Sequence, residues 1–161
     1  YMLTGEATST VDTEIWSSPV PGTPLVDAVL EGSFGGAYYC SGLAVDSTYY
    51  YTTCASPSDQ VVRIAKAGFA VTTFPVSFDF TTTIGTVHGV DADNDGLFDY
   101  LYMQGWKEEA YVVCEPDSGA PFFSTFFKTG TGTSQYGLGF DRANNTLWMT
   151  DDATNELIRI Q

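Results

Sequence analysis

One short phrase returns three times along the chain. Ser41-Gly42-Leu43-Ala44-Val45-Asp46 recurs as His88-Gly89-Val90-Asp91-Ala92-Asp93 and again as Tyr136-Gly137-Leu138-Gly139-Phe140-Asp141, with glycine steps of 47 and 48 residues. Each copy is followed by an aromatic or apolar segment: Tyr49-Tyr50-Tyr51-Thr52, Tyr100-Leu101-Tyr102-Met103 and Leu147-Trp148-Met149-Thr150. A third segment comes about ten residues later, as Val61-Val62-Arg63-Ile64, Tyr111-Val112-Val113-Cys114 and Leu157-Ile158-Arg159-Ile160. The amino end fits the same register: Met2-Leu3-Thr4 parallels Trp148-Met149-Thr150, and Ile15-Trp16 precedes Val62-Arg63 by 47 residues. Apolar alternation at period two, as in Phe74-Pro75-Val76-Ser77-Phe78-Asp79-Phe80, makes these segments strands, and no convincing helical stripe competes with them.

A fourth strand completes the middle units, in Ala70 to Phe80 and in Phe122 to Phe127. Four short antiparallel strands repeating every 40 to 50 residues is the pattern of a β-propeller blade. The fold class is therefore all-β, with blade units at about 1–36, 37–83, 84–131 and 132–161. The segment Thr23 to Gly32 carries helix-like end signals but falls where the first unit needs its outer strand, and strand is the expectation. The run Gly130-Thr131-Gly132-Thr133 reads as a flexible connection between blades.

The 161 residues hold roughly three and a half units, whereas propellers close with about four to eight blades. The first unit lacks its innermost strand and the last its outermost one. Such sheet edges call for another polypeptide, and three readings stay open: a fragment of a longer six- to eight-bladed propeller, a half-propeller pairing with a second copy, or strand exchange between subunits in a fibre or an otherwise irregular β fold.

Composition excludes several classes. Six Lys and Arg stand against 20 Asp and Glu, a formal charge of −14, so no basic face can be built for nucleic acid. Hydrophobic residues at 43% and aromatics at 15% are too many for a disordered acidic tail. No window approaches 18 consecutive apolar residues, and no membrane-spanning helix is expected. The start, Tyr1-Met2-Leu3-Thr4-Gly5, has no basic or apolar leader, so the sequence predicts a leader already removed or a start inside a longer protein. A surface poor in Lys and rich in Asp, Thr, Ser and Tyr favours an extracellular or periplasmic setting.

The strongest chemical signal is Asp91-Ala92-Asp93-Asn94-Asp95-Gly96-Leu97-Phe98-Asp99. Asp91, Asp93, Asp95 and Asp99 stand at positions 1, 3, 5 and 9, Gly96 permits a sharp turn at 6, and Leu97 offers a backbone carbonyl at 7. Oxygen ligands in this pattern suit a hard cation of the size of Ca²⁺, and four carboxylates within nine residues repel one another without one. The loop is not an EF-hand, because Tyr102 stands where a bidentate Glu belongs and both flanks read as strands. A solvated Asp-Gly turn is the plain alternative, although the loop is longer than its counterparts in the other units.

The three cysteines lack zinc spacing, and His88 is the only histidine. If the hairpin turns around Ser47-Thr48, residues whose numbers sum to about 94 or 95 face one another, a condition that Cys40 and Cys54 meet. A cross-strand disulfide is the expectation, with two buried thiols as the alternative. Cys114 reads as an unpaired core residue. Asn144-Asn145-Thr146 fits both a glycosylation acceptor and an ordinary turn. The tyrosines at 38, 39, 49, 50 and 51 read mainly as sheet packing, with aromatic platforms for carbohydrate as the alternative.

The phrase from Gly137 to Ile160 resembles blades of the propeller superfamily containing NHL repeats, gluconolactonases and streptogramin lyases, and the resemblance covers about 120 residues. That resemblance implies fold more than activity, since such blades serve enzymes, adhesins and scaffolds. The acidic loop resembles the calcium loops of FG-GAP repeats in integrins and of type IV pilus tip adhesins, matched by Asp91, Asp93, Asp95 and Asp99. In lyase-like blades a His-Gly pair opens the innermost strand, which implies for His88 a position at the channel mouth as acid or base. Ser41, His88 and Tyr136, taken as equivalent, do not resemble the channel metal ligands of gluconolactonases. No Gly-x-Ser-x-Gly elbow, phosphate loop or Cys–His nucleophile is recognisable. The leading expectation is a secreted, calcium-stabilised propeller module for binding, adhesion or extracellular assembly. The alternative is a lactonase- or lyase-type enzyme working through His88.

Overall fold

The fold was analysed in a computed structural model. The structure describes residues 1–4, 12–18, 28–35, 38–56, 60–76, 84–105, 110–120, 126–127, 135–144, 146–151 and 155–160. Among them every regular element is a strand: β1 (Met2–Thr4), β2 (Thr13–Ser17), β3 (Val29–Phe34), β4 (Tyr38–Val45), β5 (Tyr49–Ser56), β6 (Gln60–Ala65), β7 (Val71–Pro75), β8 (Ile84–Val90), β9 (Tyr100–Gly105), β10 (Ala110–Cys114), β11 (Phe126–Phe127), β12 (Gln135–Asp141), β13 (Thr146–Asp151) and β14 (Glu156–Ile160). They form four antiparallel meanders in the orders β1-β2-β3, β4-β5-β6-β7, β8-β9-β10-β11 and β12-β13-β14. The segment with helix-like end signals contributes β3 from Val29 onward, while its residues 23–27 and the glycine-threonine run at 130–133 lie outside the described residues.

Consecutive meanders stack face to face as propeller blades. The innermost strand of each full sheet packs on its neighbours, β8 lying against both β4 and β12. One relation recurs at every seam: the second strand of one sheet meets the innermost strand of the next, as β1 on β4, β5 on β8 and β9 on β12. Period-two alternation feeds both seams of a central sheet at once. Tyr50, Cys54, Val62 and Ile64 join Ile15 and Phe34 on one side, whereas Ala44, Tyr51, Val61 and Phe74 join Val87, Leu101, Met103 and Val112 on the other. A third cluster, Val113, Leu147 and Met149 with Tyr102 and Phe140 at its margin, fills the last seam.

These faces correct the sequence register in two strands. In β2, Ile15 points towards the second sheet whereas Val62, 47 residues on, points back towards the first, so the two are not equivalent. The other strand is β13. Leu147 and Met149 point back into the last seam and pair with Ile160 and Ile158. They thus occupy the places of Tyr50 and Thr52, which pair with Ile64 and Val62, instead of the places of Tyr49 and Tyr51. A shift of one residue exchanges the faces of a strand, so only the packed structure reveals it.

Gly42 sets the register of the β4–β5 hairpin. Leu43, Ala44 and Val45 face Thr52, Tyr51 and Tyr50, but beyond a bulge between Ser41 and Leu43 the pairs become Ser41 with Thr53 and Cys40 with Cys54. Gly42 absorbs the extra residue at φ 73°, and a Cβ there would lie 2.8 Å from the Val87 backbone nitrogen. The bulge thereby brings the two cysteines opposite each other, and they form the disulfide Cys40–Cys54. Cys114 is buried and reduced, its thiol pushed up to about 12 by burial and secondarily by Glu115.

The disulfide joins residues 14 apart, which limits the unfolded chain by about 3 kcal/mol for a loop of this size. Replacing Cys40 and Cys54 together by Ala is expected to lower the thermal midpoint by roughly 6–12 °C, at about 2–4 °C per kcal/mol for a domain of this length. Differential scanning calorimetry checks it, and an unchanged midpoint would show the bridge to be energetically idle.

Candidate metal centre

The nine-residue loop from Asp91 to Asp99 connects β8 to β9, where the β4–β5 connection needs only Asp46, Ser47 and Thr48. Its carboxylates organise the loop backbone. Asp91 Oδ1 accepts from the Asn94 N–H at 2.7 Å and Oδ2 from the Gly96 N–H at 3.1 Å. Asp93 accepts from the Asp95 N–H at 3.1 Å, and Asp99 from the Ala92 N–H at 2.6 Å. One carboxylate oxygen each from Asp91, Asp93 and Asp99 lies within 4.8 Å of the others, a separation suited to oxygen ligands around a single ion. Asp95 is not brought into this group. Its carboxylate accepts from the Leu97 N–H at 2.8 Å, and the Leu97 side chain is exposed.

The loop is anchored on three sheets. Phe98 packs into the seam between the second and third sheets, 5.6 Å from the Tyr51 ring. It lies flat on Gly89, where a Cβ would run into the ring. The Ser47 N–H, at the β4–β5 tip, donates to the Gly96 carbonyl at 2.7 Å. From the other side, the Arg142 guanidinium at the β12–β13 tip donates to Asn94 Oδ1 and to the Asp91 carbonyl. The sequence signalled the carboxylates but not Phe98, Ser47 or Arg142, whose roles depend on contacts between blades. Only Phe98, the one aromatic in the loop, hinted at an anchor.

His88 lies apart from this cluster, inside β8, where it faces Tyr102 across the sheet. Ala44 faces Tyr51 and Gly139 faces Trp148 in the same way, so His88 corresponds in space to Ala44 and Gly139, not to Ser41 and Tyr136. The repeated phrase therefore sits three residues nearer the strand end in β8 than in β4; a one-residue bulge, at Gly42 in β4 and between Ile84 and Thr86 in β8, does not by itself produce that displacement. Burial holds the His88 pKa below its ordinary 6.5. Tyr50 is pushed up to about 12 by burial and by Glu31.

The remaining candidate residues take structural places. Tyr50 and Tyr51 are buried, and Tyr49 packs edge-on against Tyr51 at 6.0 Å. The side chains of Tyr38 and Tyr39 lie outside the described residues. Asn144 sits in the exposed β12–β13 turn, its amide donating to Asp141 Oδ2 at 2.7 Å.

No protein-family profile matches the chain, and no curated protein matches its sequence. Among solved structures, it is similar to a chain in the crystal structure of a nidogen/laminin complex, a YWTD-type β-propeller, with a TM-score of 0.65 and 18% identity over 98% of this chain. The fold is a β-propeller fold. The chain spans 55% of the length of that neighbour.

The position of His88 has a consequence for pH. A histidine whose folded pKa is depressed leaves stability intact above the unfolded value of 6.5 and loses it as pH falls from there towards the folded value. His88→Gln is therefore expected to remove part of the loss of unfolding free energy below pH 6.5 while leaving the difference between variant and wild type constant above it. Urea unfolding of both proteins across that range is the measurement, and parallel pH profiles would contradict the assignment.

Proposed function

We propose that the chain is a calcium-braced β-propeller module that acts by binding another polypeptide in extracellular assembly and has no catalytic centre of its own. The observation that carries this reading is the convergence of Asp91, Asp93 and Asp99 on a loop tied to both flanking hairpins. A divalent ion there would neutralise the carboxylates and hold the tips of three successive sheets in register. Its chemistry would be structural, since the three ligands lie on one exposed loop.

Further observations support the parts of the reading. The Cys40–Cys54 disulfide favours an oxidising, extracellular setting. The structural neighbour comes from a complex of nidogen with laminin, a precedent for a propeller that serves protein assembly. Tyr50 and Tyr51 are buried in seams, which favours a polypeptide partner over carbohydrate. Burial is the cause of the His88 shift, which fits a packed histidine better than the acid or base of a lactonase or lyase. At the level of the single blade we keep the likeness to NHL-type repeats, and at the loop the likeness to FG-GAP and pilus-adhesin calcium sites.

Extracellular calcium loops bind with dissociation constants on the order of 10⁻⁴ to 10⁻³ M. Calcium at about 10 mM is then expected to stabilise the fold by about 1.4–2.7 kcal/mol and to raise its melting temperature by roughly 3–10 °C. Chelation reverses the gain, and Asp91→Asn with Asp93→Asn abolishes it. A melting temperature indifferent to calcium and chelator would overturn the metal assignment.

A further inference from the structure

The described asparagines divide by backbone. Asn94 and Asn155 take φ 66° and φ 56°, in the left-handed region that Asn tolerates better than most residues, so the backbone alone accounts for an asparagine at each place. Asn144, at the β12–β13 tip, is not held at a positive φ. Its turn is closed by other groups: Asp141 Oδ1 accepts from the Ala143 N–H at 3.1 Å, and the Thr146 hydroxyl donates to the Asn144 carbonyl at 3.0 Å. The Asn144 side chain gives an amide proton to Asp141 Oδ2 at 2.7 Å, and a primary amide carries two.

Sequence sets the same residue apart. Asn94 is followed by Asp95-Gly96, Asn145 by Thr146-Leu147 and Asn155 by Glu156-Leu157, whereas Asn144 is followed by Asn145-Thr146. Only Asn144 therefore has a hydroxyl residue two places on, with no proline between, which is the pattern that N-glycosylation reads. Space is available as well. Arg142, Ala143 and Asn144 are all exposed, and Arg142 is the residue that ties the tip to the third sheet.

We propose that Asn144 is an N-glycan acceptor, modified by an oligosaccharide from a lipid-linked pyrophosphate donor. In the transfer, Asn144 Nδ2 bonds to C1 of the first sugar as the bond from C1 to the pyrophosphate oxygen breaks. The amide gives up one proton, and the lipid pyrophosphate leaves with the electron pair of the broken bond. The second amide proton stays, so the bond to Asp141 survives modification. Thr146 fixes the order of events. It is 1% exposed, its hydroxyl is turned to the Asn144 carbonyl, and it faces Asp141 across β12 and β13. An enzyme that reads amide and hydroxyl together cannot reach that hydroxyl once β13 has joined β12, so transfer precedes folding of the fourth sheet. The glycan then remains on the exposed tip, as bulky and solubilising surface. This inference rests on the extracellular setting proposed above and fails separately from it, because the Cys40–Cys54 bridge reports the compartment whereas the glycan reports Asn144.

Translation of the 161-residue chain behind a cleavable secretion leader, with endoplasmic-reticulum microsomes present, is expected to give one slower-migrating species protected from added protease. Peptide N-glycosidase restores the mobility and leaves an aspartate in place of Asn144, read by mass spectrometry. Asn144→Gln and Thr146→Val each abolish the shift, and Thr146→Ser keeps it. Valine preserves the shape of Thr146 in the sheet, so its effect is not a loss of packing. With solubilised microsomes and donor, the unfolded, reduced chain is modified and the folded one is not. A protected wild-type chain that forms the disulfide without shifting would overturn the proposal, as would a shift that survives Asn144→Gln. A chain that shifts without forming the bridge would support the acceptor and count against the extracellular reading instead.

Discussion

Everything else in the structure depends on sheets packing through both faces. A strand with one solvated face alternates apolar and polar residues, whereas these strands serve two seams at once. In β5, Tyr50 points to one seam and Tyr51 to the other; in β6, Val62 and Ile64 oppose Val61. Each large side chain removed from water contributes about 1.5–3 kcal/mol. The seam between the second and third sheets alone gathers ten buried hydrophobic residues. That sum exceeds the contribution of about 3 kcal/mol from the disulfide, which pins one hairpin inside an architecture already fixed by the seams.

The long acidic loop is tolerable because its middle is tied to this packing. Lengthening a loop costs little chain entropy, of the order of 0.6 kcal/mol for each doubling, but crowding carboxylates costs more. Two charges 4–5 Å apart repel by about 1 kcal/mol in water and about 4 kcal/mol near a protein surface. Backbone N–H groups from Ala92, Asn94, Asp95 and Gly96 offset part of that repulsion at Asp91, Asp93 and Asp99. Phe98, seated on Gly89 in the seam, keeps the loop from swinging outward to dilute the charge. The aromatic anchor and the carboxylates therefore work against each other, and a bound cation would relieve the conflict without releasing the anchor.

The period of 47 residues, the strand triplets and the facing cysteines were legible in the sequence because each is a matter of spacing along one chain. Register within a sheet was less so. Gly42 and Gly89 hold the same place in the repeated phrase, yet Gly42 takes φ 73° and makes a bulge while Gly89 runs flat so that a ring can lie on it. Glycine permits both, and nothing local distinguishes them. The displaced equivalences of His88, by three residues, and of Leu147 with Met149, by one, are set by pairing across the sheet and not by the repeated phrase. Arg142 was invisible for another reason: its partners Asn94 and Asp91 lie about fifty residues away and meet it only once two hairpins stand side by side.

The aspartate that ends the innermost strand separates structure from chemistry in the loop. Asp46 Oδ1 accepts from the N–H groups of Thr48 and Tyr49, and its Oδ2 accepts from the buried Tyr51 hydroxyl at 3.0 Å. Asp141 likewise accepts from the Ala143 N–H and the Asn144 amide. Asp91 performs the same task for Asn94 and Gly96. An aspartate near the end of the innermost strand, one residue further along in the third hairpin, is therefore a turn-forming device used three times, and its presence says nothing about metal. What distinguishes the third hairpin is the addition of Asp93 and Asp99, which turn a carboxylate occupied with backbone donors into one corner of a three-carboxylate cluster. Those two residues are what a cation would need beyond the turn, so the third blade would gain a binding site by extending a cap that its neighbours use only to fold.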